Sequence, residues 1–184
     1  MKFLAQDLLN ELCEITQSNI AAAYLFKTKS DEELNHRYSS QSWSILECVE
    51  HLNRYGLFYI PEIRGRIKSK ASIPSQKIFR SGLMGNYFAN SMKKGSYKMK
   101  TFKSMNPIHS TLSRQVLDVF IEQQIQMLEL LKDARNYNLN RIKTAISITK
   151  LLRLRLGDTF RFVIYHNQRH IIQAQNVLTL QQHL

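Results

Sequence analysis

Proline, glycine and cysteine are all rare in this sequence, and each scarcity excludes a class of structure. Its 184 residues include 3 prolines and 6 glycines, which is too few for a turn-rich β architecture and favours long helices. The 2 cysteines, Cys13 and Cys48, cannot form a disulfide framework and suit a reducing cytoplasm. A chain of this length buries a core without disulfides, so we expect a single domain over residues 1–184.

Long hydrophobic runs are missing as well. No stretch approaches the roughly 18 uninterrupted apolar residues that suggest a membrane-spanning helix, so we expect neither a membrane span nor a membrane partner. The N-terminal stretch MKFLAQDLLNELCEI places Asp7, Glu11 and Glu14 inside its apolar pattern, which predicts an amphipathic helix and argues against a signal peptide. We therefore expect a cytoplasmic protein.

Acidic residues are few: 14 Asp and Glu against 26 Lys and Arg give a net charge of +12. Such an excess attracts nucleic acid, anionic lipid or small anionic substrates, but a solvated basic surface explains it equally well. One segment interleaves lysines with aromatic residues: Lys93, Lys94, Tyr97, Lys98, Lys100, Phe102 and Lys103. Lysines interleaved with aromatic residues occur in nucleic-acid-binding proteins, but the pattern is unspecific and we do not expect nucleic acid as the partner. The same lysines could equally attract a small acidic substrate.

Apolar residues recur at steps of three and four along four segments, and this period predicts helices. The predicted helices cover residues 3–27, 43 to about 61, 111–133 and 159–180. Pro61 fits poorly inside a helix and predicts a kink or an end. Ser42 and Asp158 are the predicted N-caps of the second and fourth helices.

The remaining segments are harder to interpret. Residues 28–42 are polar and predict a connection, and residues 146–156 predict a short helix that ends at Gly157. Residues 62–110 predict a long connection with a short helix near 75–92. The sequence as a whole predicts an all-α fold, a mostly antiparallel four-helix bundle with a long, partly helical connection between helices two and three.

Two histidines lie four residues apart in the last predicted helix, within FVIYHNQRHIIQAQNVL, residues 162–178. At 100° per residue, His166 and His170 are about 40° apart and one turn from each other, at the border of the buried face. This spacing lets both imidazoles bind one metal ion, although a helical histidine pair is often merely exposed or bonded to backbone.

A third ligand has to come from another helix. His36, His109 and His183 fall in predicted connections or at the chain end, whereas His51 lies within the second helix beside its apolar stripe. Three neutral imidazoles leave a coordination position open, which is the arrangement of catalytic rather than structural sites. We expect a divalent metal, and imidazole ligands do not distinguish Zn, Ni and Fe.

Several neighbours of His51 allow two interpretations. Glu47 either orients an imidazole or forms an exposed ion pair, and we favour the ion pair. Cys48 either approaches the metal as a thiolate or packs as a small buried hydrophobe, and we favour packing. Tyr55 either donates to a substrate or lies at the core edge, and we favour the core edge. Trp43 is interpreted as a packing anchor.

Two short motifs resemble a known family. WSILECVEHL, residues 43–52, resembles the helix-two signature of the DinB/YfiT-like family, in which a Trp-Ser pair leads into a helix ending in His-Leu. YHNQRHIIQ, residues 165–173, is similar to that family's last-helix signature, His-x-x-x-His with Arg before the second His and Gln three residues after it. Their order and separation match, and the resemblance covers nearly the whole chain.

The resemblance implies a DinB/YfiT-like four-helix bundle whose metal ligands are His51, His166 and His170. Related members include metal-dependent thiol transferases and a mycothiol-dependent isomerase, and homodimers are expected. We therefore expect a metal-dependent transferase or hydrolase-type enzyme that activates a thiol or water. Its substrate is expected to be a small molecule, a low-molecular-weight thiol or an anionic compound.

Two other functions remain open from the sequence. One is a non-catalytic interaction module whose basic surface binds an anionic partner. The other is a family member that keeps the bundle and the metal but has lost its chemistry. The segment 62–105 is more basic than in typical members, so the resemblance leaves the substrate undetermined.

Overall fold

The computed structural model describes residues 1–69, 74–94, 101–147 and 149–181. These residues are mostly helical. Their α-helices are α1 (Ala5–Lys27), α2 (Asp31–Asn35), α3 (Ile45–Ser69), α4 (Leu83–Lys94), α5 (Gln115–Ala134) and α6 (Leu156–Gln181). Their strands are β1 (Lys2–Leu4), β2 (Ile78–Arg80), β3 (Lys143–Ile146) and β4 (Thr149–Arg155), and Lys103–Met105 form a single 3₁₀ turn.

The four long helices are the four that the apolar period predicts. α1 packs against α5 and α6, and α3 packs against the same two helices. Their inward positions form two apolar clusters; Leu8 and Leu12 belong to one, and Phe26 and Val49 to the other. No helix within the described ranges is long and apolar enough to cross a membrane.

Short strands replace parts of three predicted helical segments: the start of 3–27, residues 78–80 of the short helix near 75–92, and most of 146–156. Lys2–Leu4 pairs antiparallel with Ile78–Arg80, so α1 begins at Ala5 rather than at residue 3. The predicted helix 146–156 is wrong, because Thr149–Arg155 pairs antiparallel with Lys143–Ile146. Leu154 is buried between exposed Arg153 and half-buried Arg155, the period-two alternation of a strand.

α3 runs through Pro61 and continues to Ser69, so the predicted kink or end does not stop the helix. Proline removes the bond to the carbonyl of Leu57, four residues earlier. Both Pro61 and Leu57 lie on an exposed side of the helix, where water can satisfy that carbonyl.

The helix starts differ from the predicted caps. Ser44, not Ser42, caps α3: the Glu47 N–H donates to its hydroxyl at 3.2 Å, and the Ser44 N–H donates to the Glu47 carboxylate at 2.8 Å. The same capping box, formed by Ser30 and Glu33, begins α2 inside the predicted connection 28–42. Both boxes follow the Ser-x-x-Glu spacing, so this local signal was present in the sequence.

α6 begins at Leu156, so Gly157 is not a helix stop and Asp158 is not its N-cap. A Cβ on Gly157 would lie 2.7 Å from the Phe79 ring, so only glycine allows β2 this close. Asp158 instead accepts hydrogen bonds from Gly82 at 2.8 Å and from Ser81.

The connection between helices two and three is partly helical, as predicted, and a buried polar network attaches α4 to α6. Arg161 is 2% exposed and pairs with Asp158 at 3.2 Å. Its guanidinium also donates to Asn86 and Asn90 of α4, at 3.3 Å each. α4 therefore lies along α6 in a fixed position.

Asp158→Ala should lower the free energy of unfolding by about 3 kcal/mol, because it leaves the buried Arg161 guanidinium without its counter-charge. Urea unfolding followed by circular dichroism measures this loss. Asp118→Ala is the matched control, since Asp118 pairs with Lys27 on the surface, and its loss should stay below about 1 kcal/mol. Equal losses in the two variants would contradict a special role of the buried pair.

Candidate metal centre

Three histidine side chains converge between α3 and α6. The Nε2 atoms of His51 and His166 are 3.2 Å apart. The His170 ring centroid lies 4.6 Å from that of His51 and 4.7 Å from that of His166. One ring nitrogen from each residue lies within 4.8 Å of the others, so this group can hold a metal ion.

The donor spacing fits a single ion. Two nitrogens bound to one Zn²⁺ at about 2.0–2.1 Å with tetrahedral angles are about 3.3 Å apart, close to the 3.2 Å between His51 and His166. His170 contributes the third donor from one helical turn beyond His166. The described residues that form this group are all histidines.

Hydrogen bonds at the opposite ring nitrogens orient two of the imidazoles. Nδ1 of His51 is 2.7 Å from the Met105 carbonyl oxygen, and Nδ1 of His170 is 2.8 Å from the Gln173 side-chain oxygen. Because these oxygens only accept, each Nδ1 carries the proton and each Nε2 keeps its lone pair. Metal-binding histidines are oriented by partners of this kind.

Burial keeps the three rings neutral. His51 and His166 are 2% and 6% exposed, and His170 is half-buried. Burial lowers the pKa of His51 to about 4 and that of His170 to about 3. Burial, followed by the charges of its two histidine neighbours, lowers the pKa of His166 well below its usual value. All three are therefore neutral at pH 7, the form that binds metals.

Aromatic side chains surround the cluster. The Trp43 ring is 4.8 Å from the His51 ring and 5.6 Å from the His170 ring. The Phe162 ring stacks on His166 at 6.0 Å, and the Tyr55 ring lies 4.6 Å from His166. Burial raises the pKa of Tyr55 to about 12, so its hydroxyl keeps its proton. Trp43 is a packing anchor, as predicted, and it also contacts two of the histidines.

The chain matches a known protein family over most of its length. The model of the DinB superfamily matches residues 14–174, a range that includes all three histidines. The chain belongs to the DinB superfamily. Among curated proteins and solved structures, none matches it significantly. The family assignment agrees with the resemblance of the two histidine motifs.

The sequence did not reveal how this DinB-superfamily chain orients His51, because a backbone carbonyl has no residue signature. Arg54 lies one turn after His51 and donates from Nη1 to the carbonyls of Ser104 at 3.2 Å and Asn106 at 3.1 Å. These carbonyls flank Met105, whose own carbonyl bonds to His51. Arg54 therefore holds the segment that orients the imidazole.

Glu47 has a different role from either sequence interpretation. It is an ion pair, as favoured, but it is 1% exposed rather than on the surface. Arg37 binds it through two hydrogen bonds of 2.8 and 2.7 Å, and the His109 N–H donates to it at 2.6 Å. Burial acts to raise the pKa of Glu47, but the hydrogen bonds from Arg37, Ser44 and His109 outweigh it and lower the pKa. Glu47 therefore anchors two loops beside the site.

Cys48 packs as the small buried hydrophobe that we favoured. It is fully buried in the apolar cluster with Val49 and Phe120. Burial strongly raises the pKa of its thiol, so the thiol stays protonated, whereas a metal ligand must be a thiolate.

The metal-free protein should lose stability as the pH falls from 6.5 towards 4. The unfolded chain takes up protons on these histidines in this range, whereas the folded protein does not, because its histidine pKa values are lowered. The free energy of unfolding should fall by up to about 1.4 kcal/mol per pH unit for each histidine. Urea unfolding in a chelator, at several pH values, measures the slope.

His51→Gln should reduce this slope, while His109→Gln, which alters an exposed histidine, should leave it unchanged. If the slope of unfolding free energy against pH were the same in the unsubstituted protein, His51→Gln and His109→Gln, His51 would not have a lowered pKa in the folded state.

Proposed function

We propose that His51, His166 and His170 bind one divalent metal ion and that the protein is a metal-dependent transferase or hydrolase-type enzyme. The observation that carries this proposal is the 3.2 Å separation of the His51 and His166 Nε2 atoms inside a buried cluster. Neutral rings and their bonds to Met105 and Gln173 support it. The metal-associated DinB superfamily, to which the chain belongs, supports it as well.

When bound, a metal ion in such a site supplies a Lewis acid that binds and activates a thiol or water for attack on an electrophile. Three protein ligands are one fewer than the four that Zn²⁺ usually takes, so a position remains for the reactant. The histidines suit Zn, Ni and Fe alike.

The surrounding residues have separate tasks in this proposal. Trp43 and Phe162 pack against the imidazoles and exclude water from their faces. Tyr55 keeps its proton, so its hydroxyl can donate a hydrogen bond to a substrate oxygen or sulfur. His170 is the most exposed of the three histidines, so the substrate reaches the site from its side. A small thiol or anionic compound suits the net charge of +12.

Around this centre we expect one mostly antiparallel four-helix bundle over residues 1–184, and a homodimer in the cytoplasm. The packing of α1 and α3 against α5 and α6 supports the bundle. Cys13 and Cys48 are both free thiols, which suits a reducing compartment.

Purified protein should bind about one equivalent of Zn²⁺ or Ni²⁺, and His166→Ala should abolish stoichiometric binding because it leaves only two of the three protein donors. Elemental analysis after dialysis measures the stoichiometry. The chain has 1 tryptophan, and Trp43 lies 4.8 Å from the His51 ring. Ni²⁺, a paramagnetic ion, should therefore quench its fluorescence, whereas Zn²⁺ should not.

His109→Ala is the control, since His109 is an exposed loop histidine that should not affect the stoichiometry. Unchanged binding in His166→Ala would refute the three-histidine site.

Thiol consumption with a panel of electrophiles, with and without metal, then tests the reaction. Metal binding without turnover would favour a family member that keeps the metal but has lost its chemistry. Absence of metal would favour a non-catalytic module whose basic surface binds an anionic partner.

Arg54→Met should weaken metal binding by about tenfold, because Met105 would no longer be held against His51. Competition with a chromophoric chelator measures the affinity. Arg66→Met is the matched control: Arg66 forms the same kind of i,i+4 pair on α3, with Glu62 at 2.8 Å, as Arg54 forms with Glu50 at 2.9 Å. Equal affinities in the two variants would show that Arg54 does not position the site.

A further inference from the structure

Four cationic residues lie together where the two strand pairs meet. Lys2 is paired with Arg80 in the first, and Lys143 with Arg155 in the second. The Arg155 guanidinium donates to the Arg80 carbonyl, which joins the two pairs. Within the part of the chain that the structure describes, none of these four forms a salt bridge with Asp or Glu. We call them the cationic cluster.

An exposed apolar ridge begins next to this cluster, on the first turns of α4. Leu83 is 94% exposed, Met84 45% and Tyr87 63%. At 100° per residue the three lie within about 100° of one another, on one side of the helix. The opposite side, which includes Ala89 and Met92, is buried in the core. Among the described residues, most of the Leu83 and Tyr87 side-chain surface therefore stays exposed, where a partner can contact it.

The combination of ridge and cluster distinguishes between partners. A second copy docked about a two-fold axis through the ridge would bury the apolar side chains, but neither the ridge nor the cluster contains an acidic residue that could pair with the cations. Nucleic acid would bind the cations, and a base could stack on Tyr87, but Leu83 and Met84 would gain little. An anionic bilayer uses both features, since phosphates contact the cations and apolar side chains enter the headgroup boundary.

We propose that this face, the cationic cluster together with the apolar ridge, docks the protein onto an anionic lipid surface. This proposal replaces the expectation of no membrane partner. That expectation rested on the lack of long apolar runs, whereas peripheral docking needs no spanning helix. It is independent of the metal-site chemistry.

The docked orientation follows from the packing of α4 along α6. Gly82, before α4, contacts Asp158 near the start of α6, and Lys93 at the other end of α4 lies over the Tyr165 ring at 4.9 Å. His166 follows Tyr165, about ten residues from the start of α6. The histidine cluster therefore lies roughly 15 Å along α6 from the docking face.

Vesicle co-sedimentation tests the proposal with the full-length protein. Binding should occur to phosphatidylcholine vesicles that contain phosphatidylglycerol, should be absent with phosphatidylcholine alone, and should weaken at high salt. Leu83→Ser combined with Tyr87→Ser should lower the partition coefficient at least about tenfold, because the variant loses the two apolar side chains that would enter the bilayer. Lys2→Gln combined with Lys143→Gln should also lower it about tenfold.

Leu57→Ser is the matched control, since Leu57 is 70% exposed on α3, outside the docking face, and it should leave the partition unchanged. All substituted positions are on the surface, so the melting temperature verifies that each variant folds. Vesicle binding that survives the Leu83 and Tyr87 substitutions would overturn the proposal. Absence of vesicle binding by the unsubstituted protein would also overturn it. Loss of dimerisation or of oligonucleotide binding in the Leu83 and Tyr87 variant would then identify the partner of this face.

Discussion

The site depends on the approach of two imidazole nitrogens inside a dry part of the protein. At 3.2 Å, the His51 and His166 Nε2 atoms cannot both present lone pairs to each other without repulsion, unless a proton or a cation lies between them. In the metal-free protein a neutral His166 with its proton on Nε2 meets this requirement, because it donates to the lone pair of His51 Nε2. Burial opposes only a further proton, which would charge a ring. A metal ion in place of that proton would accept the lone pairs of both Nε2 atoms and leave both rings neutral.

Neighbouring contacts hold the three rings in this arrangement. α3 supplies most of them from one side, with Glu47, His51 and Arg54 about one turn apart. Glu47 binds the His109 backbone, His51 the Met105 carbonyl, and Arg54 the carbonyls on either side of Met105. One helix thus orders the segment from Met105 to His109, and that segment in turn orients a proposed metal ligand.

α6 combines two functions along its length. Its first two turns carry the buried Asp158 and Arg161 pair that holds α4, and with it the exposed ridge, in position. Its middle carries His166 and His170. A rigid helix between the two regions means that a surface docked at one end fixes the orientation of the histidine cluster at the other, without a conformational change.

The sequence by itself determined the four long helices, the pairing of His166 with His170, the third histidine His51 and the family. Each rests on a local pattern: an apolar period, a four-residue spacing or a short motif. Only the tertiary structure decided that 149–155 is a strand, that Met105 orients His51 and that Glu47 is buried. These features arise from contacts between residues far apart in sequence. At such positions the tertiary contacts, rather than the local secondary-structure propensity, decide which conformation has the lower free energy.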